Sequence, residues 1–280
     1  MRVLTSPNEA LTCSWASPSF PAVVRACSST LALSLACALI AASGGLACRG
    51  LATGAIANAL SGTGGVYGRD DIPELVERAV PFGLKTMEGV LAEEPHHIGL
   101  LTALASGFVQ YGYAFVQQDA DRLAGSDFEA SQALRAQARR LYQRACEYGL
   151  RGLEASHEGF RSAFTRDPEV ASMMLEPEDV PLVYWTAAAW ALAIAASNLD
   201  PEAVADFPAV GVLARRALAL DEAWAAGTLH DFMIAYETAR PGGSIAAAKK
   251  HFARAVELSG GARVGTFVSM AENVAVKEQD

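Results

Sequence analysis

The spacing of apolar positions along the chain follows a period near 3.6 over most of its length, and no run of period-two alternation stands against it. From Ile98 to about Ala124, Leu101, Leu104, Phe108, Tyr111 and Phe115 recur at steps of three, four, three and four, which predicts one long helix with a continuous apolar stripe. Residues 128–154 repeat the pattern with Leu134, Ala138, Leu141, Ala145 and Tyr148, while Arg135, Arg139, Arg140, Arg144 and Arg151 take the other faces. Helix stops are marked by Glu94-Pro95, Asp167-Pro168, Glu176-Pro177 and Asp200-Pro201, because the residue before proline is pushed out of the helical region. Residues 180–199 carry no charge and are long enough to span a bilayer. Their alanines, with Thr186, Ser197 and Asn198, contribute little insertion energy, and Pro181 suits a helix start, so the stretch reads as a central helix buried on all sides.

Within these helices four places carry a version of a small–large–small spacing: Gly83, Met87, Val90; Ala138, Tyr142, Ala145; Val210, Ala214, Ala217, where the central residue is itself small; and Ala248, Phe252, Ala255. This is the signature of the second helix of tetratricopeptide repeats, where small residues let the partner helix approach and the large one fills the gap. The intervals between the four are irregular and longer than a regular array of about 34 residues requires. The expected fold is therefore all-α, a tetratricopeptide-like superhelix with lengthened helices.

The N-terminal part follows a different logic. Arg25 precedes a stretch without charge to Cys48, with its apolar core over Leu31 to Ala42, as in an export signal. Gly45-Leu46-Ala47-Cys48 resembles a bacterial lipobox, which makes Cys48 the expected lipid attachment point and first mature residue; it departs from the pattern at Gly45 and Leu46, and ordinary cleavage to a soluble periplasmic protein and a retained anchor are the alternatives. Residues 1–22 fit no signal peptide, and a start near Val23 or Val24 is expected instead. The domain reading is a signal peptide over 1–47, a Gly-rich tether over 48–70, and a helical-repeat domain over 71–280.

Composition sharpens this. At 51% hydrophobic and 19% charged, the 280-residue chain has enough apolar material for a large core. Its net charge of −9 disfavours nucleic acid, whose affinity comes from clustered cations. Four of the five cysteines lie at or before Cys48, leaving Cys146 alone in the body, so no internal disulfide framework is expected there.

Six ordered blocks carry a family resemblance: ALSGTGGVYGRDDIPELV (59–76), AVPFGLKTMEGVLAEEP (79–95), LASGFVQYGYAFVQQDAD (104–121), RRLYQRACEYGLRGLE (139–154), DVPLVYWTAAAW (179–190) and LDEAWAAGTLHDFMIAYE (220–237). From about Cys48 to Asp280 the chain resembles the T component associated with tripartite ATP-independent periplasmic (TRAP) transporters. The resemblance implies a periplasmic, non-enzymatic lipoprotein of tetratricopeptide-like helices that forms a homotrimer and docks the transporter's solute-binding protein. It also implies a further helical segment beyond residues 276–280. Arg49, where an Asp after the lipidated cysteine would favour inner-membrane retention, leans the expectation towards the outer membrane.

Candidate chemistry is sparse. Ser61-Gly62-Thr63-Gly64-Gly65 lacks the Lys and the preceding strand of a phosphate-binding loop and reads as a turn. Adjacent His96 and His97 point in different directions on a helix and read as a solvated helix start. His230 and Glu237, seven apart on one helical face with Asp231 beside them, form an incomplete site; structural hydrogen bonding is the expectation, and neither a metal nor a cofactor is assigned. Catalytic arrangements of the Ser-His-Asp, CxxC or HExxH type are absent. The aromatics are more suggestive: Phe108, Tyr111, Tyr113 and Phe115 on one helix and Tyr184, Trp185 and Trp190 on another are candidates to line an apolar cavity that relays an apolar or organic-acid solute, with His230 as a further candidate, against the alternative that most of these rings are core at helical spacing. Tyr111 and Tyr113, two apart, cannot face the same way. The alternative to this ligand-relaying transport accessory is a tetratricopeptide scaffold for envelope assembly with no ligand of its own.

Overall fold

Every regular element among the described residues is helical. The computed structural model describes residues 53–62, 67–198 and 200–278, all within one unit spanning Gly50–Asp280; the expected signal, the lipobox and Cys48 lie outside the described residues. Within the stretch read as a Gly-rich tether, residues 53–61 form a helix, α1, whose Ala57 is fully buried. There follow α2 (Pro73–Glu93), α3 (Ile98–Leu123), α4 (Phe128–Ser156), the short α5 (Phe160–Arg166) and α6 (Pro168–Ser172), α7 (Val180–Ala195), the short α8 (Pro201–Ala205), α9 (Phe207–Leu220), α10 (Thr228–Ala239), α11 (Ile245–Ser259) and α12 (Val264–Met270) with its continuation to Glu278.

The helix starts follow side-chain chemistry. Asp127, Asp167, Asp200 and Ser244 each accept a hydrogen bond from a backbone N–H of the first turn, covering donors that the helix leaves unpaired. His97 does the same for α3: its Nδ1 accepts from Leu100 N at 3.1 Å, while Nε2 meets Asn58 of α1 at 3.2 Å. The expected solvated helix start is thus a capped one that also ties α1 to α3.

Long helices pack in chain order, α2 on α3, α3 on α4, α4 on α7, α7 on α9, α9 on α10 and α10 on α11, with further contacts of α3 with α7 and of α10 with α12. The small–large–small residues fall on α2, α4, α9 and α11, every second long helix. Ala138, Tyr142, Ala145, Val210, Ala214, Ala217, Ala248 and Ala255 are all buried there. The irregular spacing has a simple origin: α5, α6 and the turn Pro177–Asp179 are inserted between α4 and α7, and α8 between α7 and α9. Close approach is visible where α4 crosses α7. A Cβ on Gly149 would lie 2.1 Å from Thr186 Oγ1, and one on Gly152 would lie 2.6 Å from Leu182 Cδ2.

As its composition suggested, α7 is buried around most of its circumference, from Val180 through Ala187 to Ile194. Among the described residues one helix, α3, is long and apolar enough to cross a membrane. Its apolar residues Leu100, Leu101, Leu104 and Phe108 are buried against α2, α4 and α7, as in an internal helix of the array.

One departure changes the candidate site. The buried stripe of α3 runs Leu104, Phe108, Gly112, Val116, Ala120 at uniform steps of four, and Tyr111 and Phe115 are only half-buried. The cause is a wider π turn over Gly112–Gln117, which slips the stripe by one residue from the expected positions.

Candidate functional site

An aromatic-lined hollow of about 520 Å³ lies between α3, α7, α9, α10 and the C-terminal helix. Its wall is a chain of rings. Trp185 and Tyr184 meet edge to face at 4.9 Å, Tyr184 faces Phe232 at 6.4 Å, Phe232 stacks on Tyr236 at 6.3 Å, and Tyr236 stacks on Phe207 at 5.0 Å. These separations are those of attractive aromatic pairs, so the rings hold one another in place. Gly211 makes room for it: a Cβ there would sit 1.9 Å from the Tyr236 hydroxyl.

Polar groups on the wall are few and neutral. Gln110 and Tyr113 come from α3, and Asn273 from a second π turn, Ala271–Ala275, in the C-terminal helix. Burial pushes the Tyr184 phenol up to about 12. Burial, then Glu272 and Asp121, raises Tyr113 as well. Both phenols therefore remain hydrogen-bond donors at any physiological pH. No Lys, Arg or His is among the lining residues.

The candidate residues separate into three groups. Tyr184 and Trp185 reach this cavity. Tyr111 and Phe115, 5.7 Å apart, line a smaller pocket between α1, α2 and α3. Phe108 is core, stacked on Tyr148 at 5.9 Å with the Arg144 guanidinium 5.1 Å above its ring, and Trp190 packs on Phe164. Tyr111 and Tyr113 face different hollows, as their separation required.

His230 lines neither hollow. Its Nδ1 lies 2.8 Å from Nδ1 of His251 on α11, and its Nε2 lies 3.1 Å from Glu222, which Arg254 also engages through two nitrogens. Glu237 pairs with Arg240 instead, and Asp231 accepts from Thr266 and Arg263. The same-face grouping of His230 with Glu237 is thus replaced by partners from a loop and a neighbouring helix. Among the described residues no group of three or more His, Cys, Asp or Glu could hold a metal.

Sequence reasoning missed Phe207, Phe232, Tyr236 and Asn273. The signal was available for two of them, since Phe232 and Tyr236 are four apart on the helix that carries His230.

The chain matches the family model for the TRAP transporter T-component over residues 69–280. It belongs to that family. An uncharacterized protein of Treponema pallidum (strain Nichols) is similar to it, 29% identical over 180 residues that cover 63% of this chain and 56% of the relative. The chain thus aligns with little more than half of that relative's length. The family takes its description from TRAP transporters.

Proposed function

We propose that this T component is a non-enzymatic, lipid-anchored accessory that docks the solute-binding protein of a TRAP system and receives an apolar solute in the cavity bounded by α3, α7, α9, α10 and the C-terminal helix. The observation that carries the reading is the wall itself: a hollow of about 520 Å³ faced by Tyr184, Trp185, Phe207, Phe232 and Tyr236, with neutral polar groups only. Ligand sites in proteins combine apolar walls with a few convergent polar groups, and this cavity has both. Of the two solute classes the sequence left open, the apolar one fits. An organic acid would bury its carboxylate without a cation, and an unpaired buried charge costs several kcal/mol.

The tetratricopeptide-like reading draws support from the alternation of helices. Small–large–small residues sit on α2, α4, α9 and α11, while α3, α7 and α10, the first helices of their pairs, present Tyr113, Tyr184, Trp185, Phe232 and Tyr236 to one hollow. That is the arrangement in which repeat arrays form a concave binding face. Lipidation at Cys48, a homotrimeric assembly and an outer-membrane location complete the proposal.

Native mass spectrometry of the protein purified from membranes tests these points together. The expected result is a trimer whose subunits carry diacylglycerol on Cys48, lost in Cys48→Ser, with a retained apolar molecule and a co-purifying periplasmic solute-binding protein. An unlipidated monomer whose melting temperature no apolar compound raises would refute it, since any ligand of the native state must shift that equilibrium.

A further inference from the structure

We propose that the smaller pocket between α1, α2 and α3 is a second binding chamber for an uncharged, ring-sized apolar solute, set beside the first with Gln110 as their common wall. Its volume is about 210 Å³, and Tyr67, Val80, Leu84, Met87, Tyr111 and Phe115 are among its lining residues. A cavity of about 150 Å³ with apolar walls is known to stay dry and take up benzene, so this one suits a molecule of one or two fused rings.

Three observations make it a built chamber. Two glycines bring the walls together: a Cβ on Gly107 would lie 2.6 Å from Leu84 Cδ2, and one on Gly83 would lie 2.6 Å from the Tyr67 hydroxyl. The two serine hydroxyls among its lining are already engaged, Ser61 Oγ donating to Asn58 O at 2.9 Å and Ser106 Oγ to Ala103 O at 3.0 Å. Burial raises the Tyr111 phenol, with Glu77 and Asp119 adding to the effect, so its ring edge stays neutral. No cation or carboxylate is among the lining residues.

Gln110 is what joins the two hollows. It lines both, and its amide donates one long hydrogen bond, 3.3 Å, to Ser106 O of its own helix. The slipped stripe of α3 does the rest. Because Gly112 and Val116 take the core positions, Tyr111 and Phe115 are released to the second chamber while Tyr113 faces the first.

The inference rests on the reading of the first cavity as a site for apolar solutes, and the experiment separates the two. The purified protein is titrated with 1-aminonaphthalene, an uncharged two-ring fluorophore, and bound equivalents are counted. Two per chain are expected. Ala114→Phe, at the exposed mouth of the second chamber, and Ala103→Phe, on its wall, should each leave one equivalent; Ala239→Phe, at the exposed rim of the first, should leave the other. The equivalent that survives Ala114→Phe should quench tryptophan emission through Trp185, and the one that survives Ala239→Phe should quench it less. Unchanged melting curves show that each variant folds, and two independent variants guard the second chamber. One equivalent in the wild type, abolished by Ala239→Phe and untouched by the other two, overturns the second chamber and leaves the functional reading standing. Two equivalents that neither Ala114→Phe nor Ala103→Phe reduces overturn it equally. No binding at all refutes both.

Discussion

Gly149→Ala tests whether the α4–α7 crossing sets the position of the cavity wall. The new Cβ would stand 2.1 Å from Thr186 Oγ1, 2.9 Å from its Cβ and 3.2 Å from its Cα. The last of these is backbone and cannot rotate away, so the helices must separate or the side chain must leave its rotamer. Overpacking of this kind costs about 1–3 kcal/mol. Against it, Ala in place of Gly gains about 1 kcal/mol of helix propensity. The severity of three simultaneous contacts puts the cost near the top of its range, leaving a net loss of about 2 kcal/mol. For a domain of this size that is a fall in melting temperature of about 4–8 °C. Gly89→Ala is the control: nothing lies within 4 Å of its would-be Cβ, so only the propensity gain remains and the variant should be more stable. Thr186→Ala removes the nearest atom at the cost of its bond to Leu182 O, 2.7 Å, worth about 1 kcal/mol. The double variant should therefore fall short of additivity by about 1 kcal/mol or more. Urea unfolding of the wild type and the four variants at constant slope measures each difference. If Gly149→Ala is stabilising like Gly89→Ala, or if the pair adds within about 0.5 kcal/mol, the crossing is not the tight contact argued here.

Trp185→Ala removes the indole from the first cavity and should weaken 1-aminonaphthalene binding there by at least tenfold in a fluorescence titration, a loss of about 1.4 kcal/mol that buried aromatic area readily supplies. Cys146 is buried and its thiol is pushed up to about 12, chiefly by that burial, so peptide mapping after iodoacetamide at neutral pH should find it unmodified in the native protein and modified in urea. Burial and the neighbouring His230 hold the His251 imidazole below its ordinary 6.5. As pH falls through 6.5 the unfolded chain takes up a proton that folded His251 refuses, so stability declines on the acid side, and His251→Asn should flatten the melting-temperature profile below that point. Glu222 acts at lower pH: hydrogen bonds from Arg254 and then His230 hold it down to about 2, so its contribution is complete above the ordinary 4.5 and disappears between there and 2. Glu222→Gln should remove that acid limb, with Arg254 and Glu237 as the other charges facing the pair.

What the sequence carried was local. The limits of α3 and α4 were readable to within two residues because each is long and strongly periodic, and the caps at Asp167 and Asp200 stood beside their prolines. The alternation of small–large–small helices was readable too, since it depends on which residues a close-packed helix tolerates. The partners of His230 were not. Glu222 lies in a loop and His251 on the next helix, and no spacing rule relates them until the chain has folded. The cavity wall failed for the same reason, as its rings come from α7, α9 and α10 and meet only through packing.

The π turn in α3 is different, because its trace was in the sequence and was masked by a competing pattern. Leu104, Phe108, Gly112, Val116 and Ala120 are all small or apolar at uniform steps of four. On a regular helix each such step drifts by about 40°, so the five would wind around more than a third of the circumference. Leu101, Leu104, Phe108, Tyr111 and Phe115 fit the regular period better and so define the expected stripe. The wide turn over Gly112–Gln117 absorbs the drift and keeps the step-of-four set in the core, where Gly112 lies against Tyr142 and Gln117 accepts the Tyr142 hydroxyl at 2.7 Å. A Cβ at position 112 would come within 2.8 Å of the Tyr142 ring, which is why the residue at the start of the turn is glycine. The consequence is functional. A regular helix would bury Tyr111 and Phe115 as core; the widened one returns both rings to a hollow, and the second π turn, Ala271–Ala275, brings Asn273 to the other. Both irregularities therefore sit where a helix must pack on one side and line a cavity on the other, two demands that a single 3.6-residue period does not meet at once.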